Sequence, residues 1–229
     1  LIGPDRISQR FDHESSSEVY PTVDDFLTDV VAIEKSMVES LVGAGCPYIQ
    51  IDAPGYTAYV DEPSLDAMRQ RGEDPNANLE RSIAADNRLL EVFGDAVSGI
   101  HLCRGNQRSM WHREGSYDAV AERLFGGLKH QRLLLEFDSE RAGGFEPLRF
   151  VPKGTVVVLG LVSTKVPELE SVSHLSHRID DAARFVPLEQ LAISPQCGFS
   201  SDAVGNLVTR DHQKRKLERV METARQVWG

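Results

Sequence analysis

Apolar positions along this chain fall into two rhythms, longer stretches with apolar residues every three or four positions and short, nearly continuous apolar runs. The longer stretches predict helices and the short runs predict buried strands. Over residues 22–42, Phe26, Val30, Ile33, Met37 and Leu41 keep helical spacing. Thr22 ahead of Asp24 and Asp25 suits the amino-terminal cap, and Gly43 and Gly45 suit the stop. Residues 48–51 read as a strand ending at Asp52, before Pro54-Gly55. A polar segment over 69–78 leads to a helix at 79–93, then to a strand over 97–100. A glycine-bearing loop spans 104–116, followed by a helix at 117–125 and a strand at 132–135. Another loop covers 138–147. The strongest β-former of the chain lies at 155–161, followed by a helix over 173–185 and a strand at 191–194. The last helix, 209–227, carries Leu217, Val220, Met221 and Val227 on one side and basic residues on the other.

Strands alternating with helices imply a parallel sheet covered by helices. No glycine-rich phosphate loop follows a strand, which disfavours a doubly wound open sheet. The expected fold class is α/β, a (β/α)8 TIM-type barrel of about 250 residues, of which this chain holds the later strands. Residues 1–229 are expected to be one domain. The opening Leu1-Ile2-Gly3-Pro4 reads as the end of a strand, so roughly a hundred residues or more are expected upstream.

Charge and cysteine content narrow the function. A net charge of -10 leaves no basic stripe for phosphates, which argues against a nucleic-acid partner. No apolar run approaches the roughly 20 residues of a membrane helix, and no secretory pattern opens the chain. Cys46, Cys103 and Cys197 are too few for a disulfide framework and fit a reducing cytoplasm.

Three strands end in potential metal ligands. The strand through Ile100 runs into His101-Leu102-Cys103, the Leu133-Leu134-Leu135 run ends at Glu136, and the strand over 191–194 leads to Cys197. Alternate residues of a strand face one side, so His101 and Cys103 can aim at a single ion. A charge at Glu136, where its strand leaves the core, needs a partner. On a parallel sheet these ends converge, and imidazole, thiolate and carboxylate donors select zinc. Taken singly, each residue also reads as an ordinary buried one. Cys46 falls at the opposite end of the sheet and reads as structural. His13, His174, His177 and His212 lie in polar stretches and read as solvated. His130 is not at a strand end, and His112 lies in a loop from which it can reach the pocket.

Four stretches together resemble the catalytic barrel of cobalamin-independent methionine synthase and its shorter relatives. They are Ile49-Gln50-Ile51-Asp52-Ala53-Pro54, His101-Leu102-Cys103-Arg104-Gly105-Asn106, Glu136-Phe137-Asp138-Ser139 and Ser194-Pro195-Gln196-Cys197-Gly198. The resemblance implies that residues 1–229 are the carboxyl-terminal catalytic part of such a barrel. It implies that His101, Cys103, Glu136 and Cys197 bind a catalytic zinc, and that Asp52 holds the amino group of homocysteine. The implied reaction moves a methyl group from a methyltetrahydrofolate-type donor to homocysteine or a similar thiol. The expected partners are therefore a small thiol and a methyl donor, with self-association into a homo-oligomer left open. One departure stands out. Where the family's synthases carry Asp-x-His, this chain reads Ser163-Thr164-Lys165, so Lys165 replaces the expected proton shuttle. A lysine there could donate a proton, bind an anion or simply face solvent. No tryptophan matches the family's folate-stacking position; Trp111 lies in the neighbouring loop, and Trp228 reads as structural. Alkyl transfer to another thiol, such as coenzyme M opening an epoxide, is the second expectation, and a non-catalytic domain with a structural zinc is the third.

Overall fold

The structure is a computed structural model that describes residues 1–200 and 203–229. Its centre is a five-stranded sheet in the order β1-β2-β3-β4-β5, formed by Tyr48–Asp52, Val97–Leu102, Arg132–Glu136, Val156–Val162 and Leu191–Pro195. Every neighbouring pair is parallel. Each strand lies beside the next in sequence, with no reversal of order. That is the connectivity of a barrel wall and not of a doubly wound sheet. Ile2 adds a parallel bridge to Asp52, so the first residues run beside β1 as the sequence suggests.

The two faces of the strands differ in chemistry. Ile49, Ile51, Ile100, Leu102, Leu133, Leu135, Val157 and Leu159 are buried in the main hydrophobic core. On the alternate positions stand Gln50, Asp52, His101, Leu134, Gly160 and Ser194, which line a cavity of about 480 Å³. The period of two along a strand produces this division, with a polar pocket on one side and a dry core on the other.

Helices enclose the apolar face: α1 (Pro4–Ser8), α2 (His13–Ser16), α3 (Val23–Gly43), α4 (Glu62–Gln70), α5 (Pro75–Leu89), α6 (Ala121–Gly127), α7 (Val172–Ala182) and α8 (Arg210–Trp228). Thr22 caps α3 as expected, accepting from the Asp25 amide while Asp25 accepts from the Thr22 amide, a capping box. The buried face of α3 is Leu27, Val30, Val31, Glu34 and Val38; Ile33 and Met37 are exposed. Two apolar stripes share this helix, and packing, not periodicity, chooses the one displaced by a residue from the expected set.

Helix α4 was not expected. Its only large apolar residues are Leu65 and Met68, so the periodic signal is weak, and the Asp61 cap with Pro63 in the first turn specifies it instead. Likewise α5 starts at Pro75 because Asp74 caps it, inside the polar segment that precedes the helix expected from residue 79. A 3-10 turn over Tyr117–Ala119 precedes α6, which begins later than expected. On α8, Lys216 and Thr223 are buried while Leu217 and Met221 are exposed. Lys216 docks this helix by donating to Glu168 O and pairing with Glu170 at 3.1 Å. No helix among the described residues is long and apolar enough to cross a membrane.

Away from the pocket, α1 and α5 bring two carboxyl groups into the core. Asp5 and Asp86 are both fully buried, and Tyr56 donates to Asp86 Oδ2 at 2.6 Å. Asp86 Oδ1 and Asp5 Oδ2 have no hydrogen-bond partner. Burial pushes Asp5 up to about 7 against the lowering influence of Ser82 and Arg113. Burial and the charge of Asp5 together hold Asp86 well above the usual carboxylate range. The folded state therefore keeps these protons more tightly than the unfolded chain. The stability that the Asp5 proton contributes is complete below about pH 4 and is lost as the pH rises through about 7, and that of the Asp86 proton is lost likewise as the pH rises. Melting temperature is expected to fall between pH 5 and pH 8. Asp86→Asn keeps an acceptor for Tyr56 without a charge, and should flatten that fall and raise the pH 8 melting temperature by about 2–4 °C, equivalent to about 1 kcal/mol. Melting curves of both proteins across this range check it; parallel slopes would refute the assignment.

Candidate metal centre

Strand register places the expected ligands. Asp52 pairs with His101 across β1 and β2, and Glu136 pairs with Gly160 across β3 and β4. Cys103 follows the end of β2, and Cys197 lies two residues beyond β5. His101, Cys103, Glu136 and Cys197 come together, one donor atom from each lying within 4.8 Å of every other.

Glu136 is fully buried and fixed at both oxygens. His101 Nε2 lies 3.1 Å from Oε1, and Gln196 Nε2 donates to Oε2 at 3.0 Å. The other imidazole nitrogen, Nδ1, faces Asp52 Oδ1 at 2.8 Å. Burial alone would lower the His101 pKa, but the bonds to Asp52 and Glu136 overturn it and push the ring up to about 10. Sγ of Cys103 and Sγ of Cys197 lie 3.5 Å apart. The hydrogen bond with Cys197 and burial push Cys103 up, while the hydrogen bond with Cys103 pulls Cys197 down to about 7. No disulfide joins the described cysteines.

Tetrahedral zinc tests the fit. Sulfur donors at ~2.3 Å from an ion stand ~3.8 Å apart, and nitrogen and oxygen donors at ~2.1 Å stand ~3.4 Å apart. The observed 3.5 Å between the sulfurs and 3.1 Å between imidazole and carboxylate are each short by a few tenths of an ångström. Bonding through Nε2 would leave Nδ1–H on Asp52, the usual way a carboxylate orients a ligating histidine. Four donors of suitable kind and spacing thus fit the ion.

Two glycines make room for the arrangement. A Cβ at Gly160, opposite Glu136, would lie 2.9 Å from the Gln196 Cα, so a side chain there would push away the segment that carries Cys197. Gly105 has a φ of +86°, and a Cβ there would lie 2.3 Å from the His112 Cβ. This turn lets the Gly105 amide donate to Cys103 Sγ at 3.3 Å.

Gln196, which lies in a matching stretch but received no role from the sequence, connects three segments. Its Oε1 accepts from Ser163 Oγ and the Thr164 amide, its Nε2 holds Glu136, and its carbonyl faces His101 Nε2 at 3.2 Å. Asn106 joins the loops in the same way, donating to Thr164 Oγ1 and to Gly198 O. A glutamine beside Cys197 is the only sequence signal of this role.

Lys165 is neither a surface residue nor a group facing the pocket. Only 4% exposed, it donates to Gly105 O, to Met110 O at 3.2 Å and to Asn106 Oδ1 at 3.4 Å, and it lies over the Trp111 ring. Burial lowers its pKa, opposed by the charges of Glu136 and Asp138. The Trp111 ring is approached by both Lys165 and Arg141. His112 is exposed and does not line the cavity. His130 is buried against Phe93, and burial lowers its pKa to about 4. His13, His174 and His177 are exposed as expected, but His212 completes the cap of α8. Cys46 lies away from the centre, before β1, with its thiol donating to Tyr48 O. Trp228 donates its indole N–H to Leu188 O.

Comparison with known proteins identifies the family and the fold. Residues 21–219 match the family described as "Cobalamin-independent synthase, Catalytic domain". The Bacillus subtilis protein YxjH is 37% identical over 222 residues, covering 95% of this chain and 58% of its own length. A methionine synthase of Pyrococcus abyssi is 26% identical over 187 residues, covering 81% of this chain and 46% of its own. A solved structure of a candidate vitamin-B12-independent methionine synthase from Listeria monocytogenes superposes with a TM-score of 0.74 at 26% identity, covering 100% of this chain and 63% of that one. A B12-independent methionine synthase from Shewanella, solved with selenomethionine, shares the fold at a TM-score of 0.74 and 18% identity, covering 99% of this chain and 60% of that one. The chain spans about half the length of the curated relatives it matches. By its sequence match, its sheet and its superposition, this chain belongs to the cobalamin-independent methionine synthase catalytic-domain family.

Proposed function

We propose that this chain carries the metal centre of a zinc-dependent S-methyltransferase that acts on homocysteine or a similar small thiol with a methyltetrahydrofolate-type donor. The observation that carries the reading is the convergence of His101, Cys103, Glu136 and Cys197 at the edge of a cavity of about 480 Å³. When bound there, zinc would supply a Lewis acid that keeps an incoming thiol deprotonated near neutral pH. A structural site is closed around its ion, whereas His101 and Cys197 here line an open pocket. In this reading residues 1–229 are the carboxyl-terminal catalytic part of one barrel domain, and cysteines not joined in disulfides fit a reducing cytoplasm.

The residues divide the work. The thiols of Cys103 and Cys197 would be the soft donors to the ion. Glu136 would be the hard donor, with its Oε2 held by Gln196 Nε2 whether or not Oε1 binds. Asp52 orients His101 through Oδ1. Its side chain is 42% exposed where that of Glu136 is 0%, so Asp52 is the carboxylate that can also meet the amino group of an amino-thiol.

X-ray absorption at the zinc edge of the full-length protein, with and without homocysteine, tests the reading. Two sulfur donors becoming three on addition of homocysteine is the expected result. An unchanged pair would remove homocysteine as the thiol, and a protein that takes up no zinc would overturn the metal centre. Cys103→Ser and Cys197→Ser should each lower zinc content and bring thiol methylation to background in step, measured by metal analysis and product formation. Full methylation in a zinc-depleted variant would contradict the mechanism. Asp52→Asn retains an acceptor for His101, so zinc content should hold while KM for the amino-thiol rises about tenfold, the effect of about 1.4 kcal/mol. Unchanged KM would free Asp52 of the substrate role.

A further inference from the structure

The loop after Cys103 departs from relaxed backbone. Arg108 and Ser109 both have positive φ, at 51° and 64°. Two consecutive non-glycine residues in that region persist only where the surroundings hold them. The Lys165 ammonium meets the loop on both sides of this strained pair, at Gly105 O and Asn106 Oδ1 before it and at Met110 O after it. It also lies 5.1 Å from the centre of the Trp111 ring. Lys165 enters from the segment after β4, whose Ser163 and Thr164 hold Gln196, next to Cys197. One short segment therefore grips both cysteine-bearing loops.

We propose that Lys165 is a positioning residue, whose buried ammonium clamps the loop of residues 104–111 and so keeps Cys103 Sγ beside Cys197 Sγ. An ammonium has three donors and no acceptor, so a cage of carbonyl oxygens suits it as a cross-link. The same cage occupies those donors, which makes this lysine a support for the site and not a proton donor to a bound substrate. A deprotonated amine or a neutral side chain could not hold all three oxygens. The clamp itself is independent of the methyltransferase reading; its consequence for metal binding rests on that reading.

The test compares Lys165→Met with the wild type in the full-length protein. Hydrogen–deuterium exchange on metal-free protein reads the loop directly, since the Met110 and His112 amides are bonded within it, to Gln107 O and Arg104 O. Exchange over residues 104–112 is expected to quicken at least tenfold in the variant while β2 and β3 stay protected. Unchanged exchange in the loop, or faster exchange throughout the chain, would overturn the clamp. With cobalt as the probe metal, the variant should bind 10- to 100-fold more weakly by chelator competition, in the range typical of groups that support a ligand shell. The thiolate-to-cobalt charge-transfer band should weaken with it; equal affinity and an identical band would overturn the link to Cys103. If Lys165→Met does not fold, lysine acylation of the wild type followed by mass spectrometry decides. Lys165 should resist modification while exposed Lys153 reacts, and equal reactivity refutes burial of the ammonium. A wild type that takes up no metal would defeat the proposed function but leave the exchange and acylation results to judge the clamp.

Discussion

A carboxylate sealed from water governs this structure. Glu136 ends β3 with no exposed surface, and a buried charge left unpaired is strongly destabilising, by about 3–5 kcal/mol when a partner is removed. Its two oxygens are met from two directions, by His101 on β2 and by Gln196 just after β5. Meeting them fixes the relative height of three strands. A side chain is also excluded at Gly160, whose place on β4 lies against the backbones of Glu136 and Gln196. The thiols are then neighbours by consequence, since Cys103 lies two residues beyond His101 and Cys197 directly follows Gln196.

The sheet makes such a polar cluster tolerable. Ile100, Leu102, Leu133 and Leu135 bury their side chains in the core, opposite the pocket, and that core holds the strands together without help from the site. The polar residues therefore occupy positions whose other face is already stable. Because neighbouring strands are parallel, their carboxyl ends lie at one edge, and the loops leaving that edge can contribute donors without crossing the core. The same division leaves buried polar atoms elsewhere to explain themselves. The Asp5 and Asp86 carboxyl groups lie on the helical side, away from the cavity, and their raised proton affinity follows from burial first.

What the sequence disclosed follows the range of each signal. Strands were legible because their apolar runs are short and end abruptly in polar or ligating residues, as at Asp52, His101 and Glu136. The convergence of His101, Cys103, Glu136 and Cys197 was legible for the same reason, together with their resemblance to a family pattern. Asp52 proved to be bonded to His101, a contact between strands that only register reveals. Helices were read less well where a cap, and not a stripe, specifies them, as at Asp61 and Asp74. On α3 the wrong one of two apolar stripes was preferred, because periodicity does not say which side meets the sheet. Gln196 and Lys165 were beyond reach for another reason. Their meaning lies in partners about 60 residues distant, and a glutamine or lysine carries no periodic mark of burial.

Lys165 also constrains how this chain can differ from its relatives while keeping the centre. Three oxygens from the Cys103 loop surround its ammonium, so replacing the expected histidine with lysine alters the task of the segment after β4 as well as its acidity. A histidine presents at most two N–H donors on a short, planar stem. It could not reach across to Gly105, Asn106 and Met110 together, and the strained turn at Arg108 and Ser109 would need another support. Conversely, a lysine committed to that cage cannot serve as the proton source for a departing nitrogen. Under the proposed methyl transfer, such a proton would come from another group in the pocket or from solvent. In that reading, support of the Cys103 loop falls to Lys165 and proton delivery to another group.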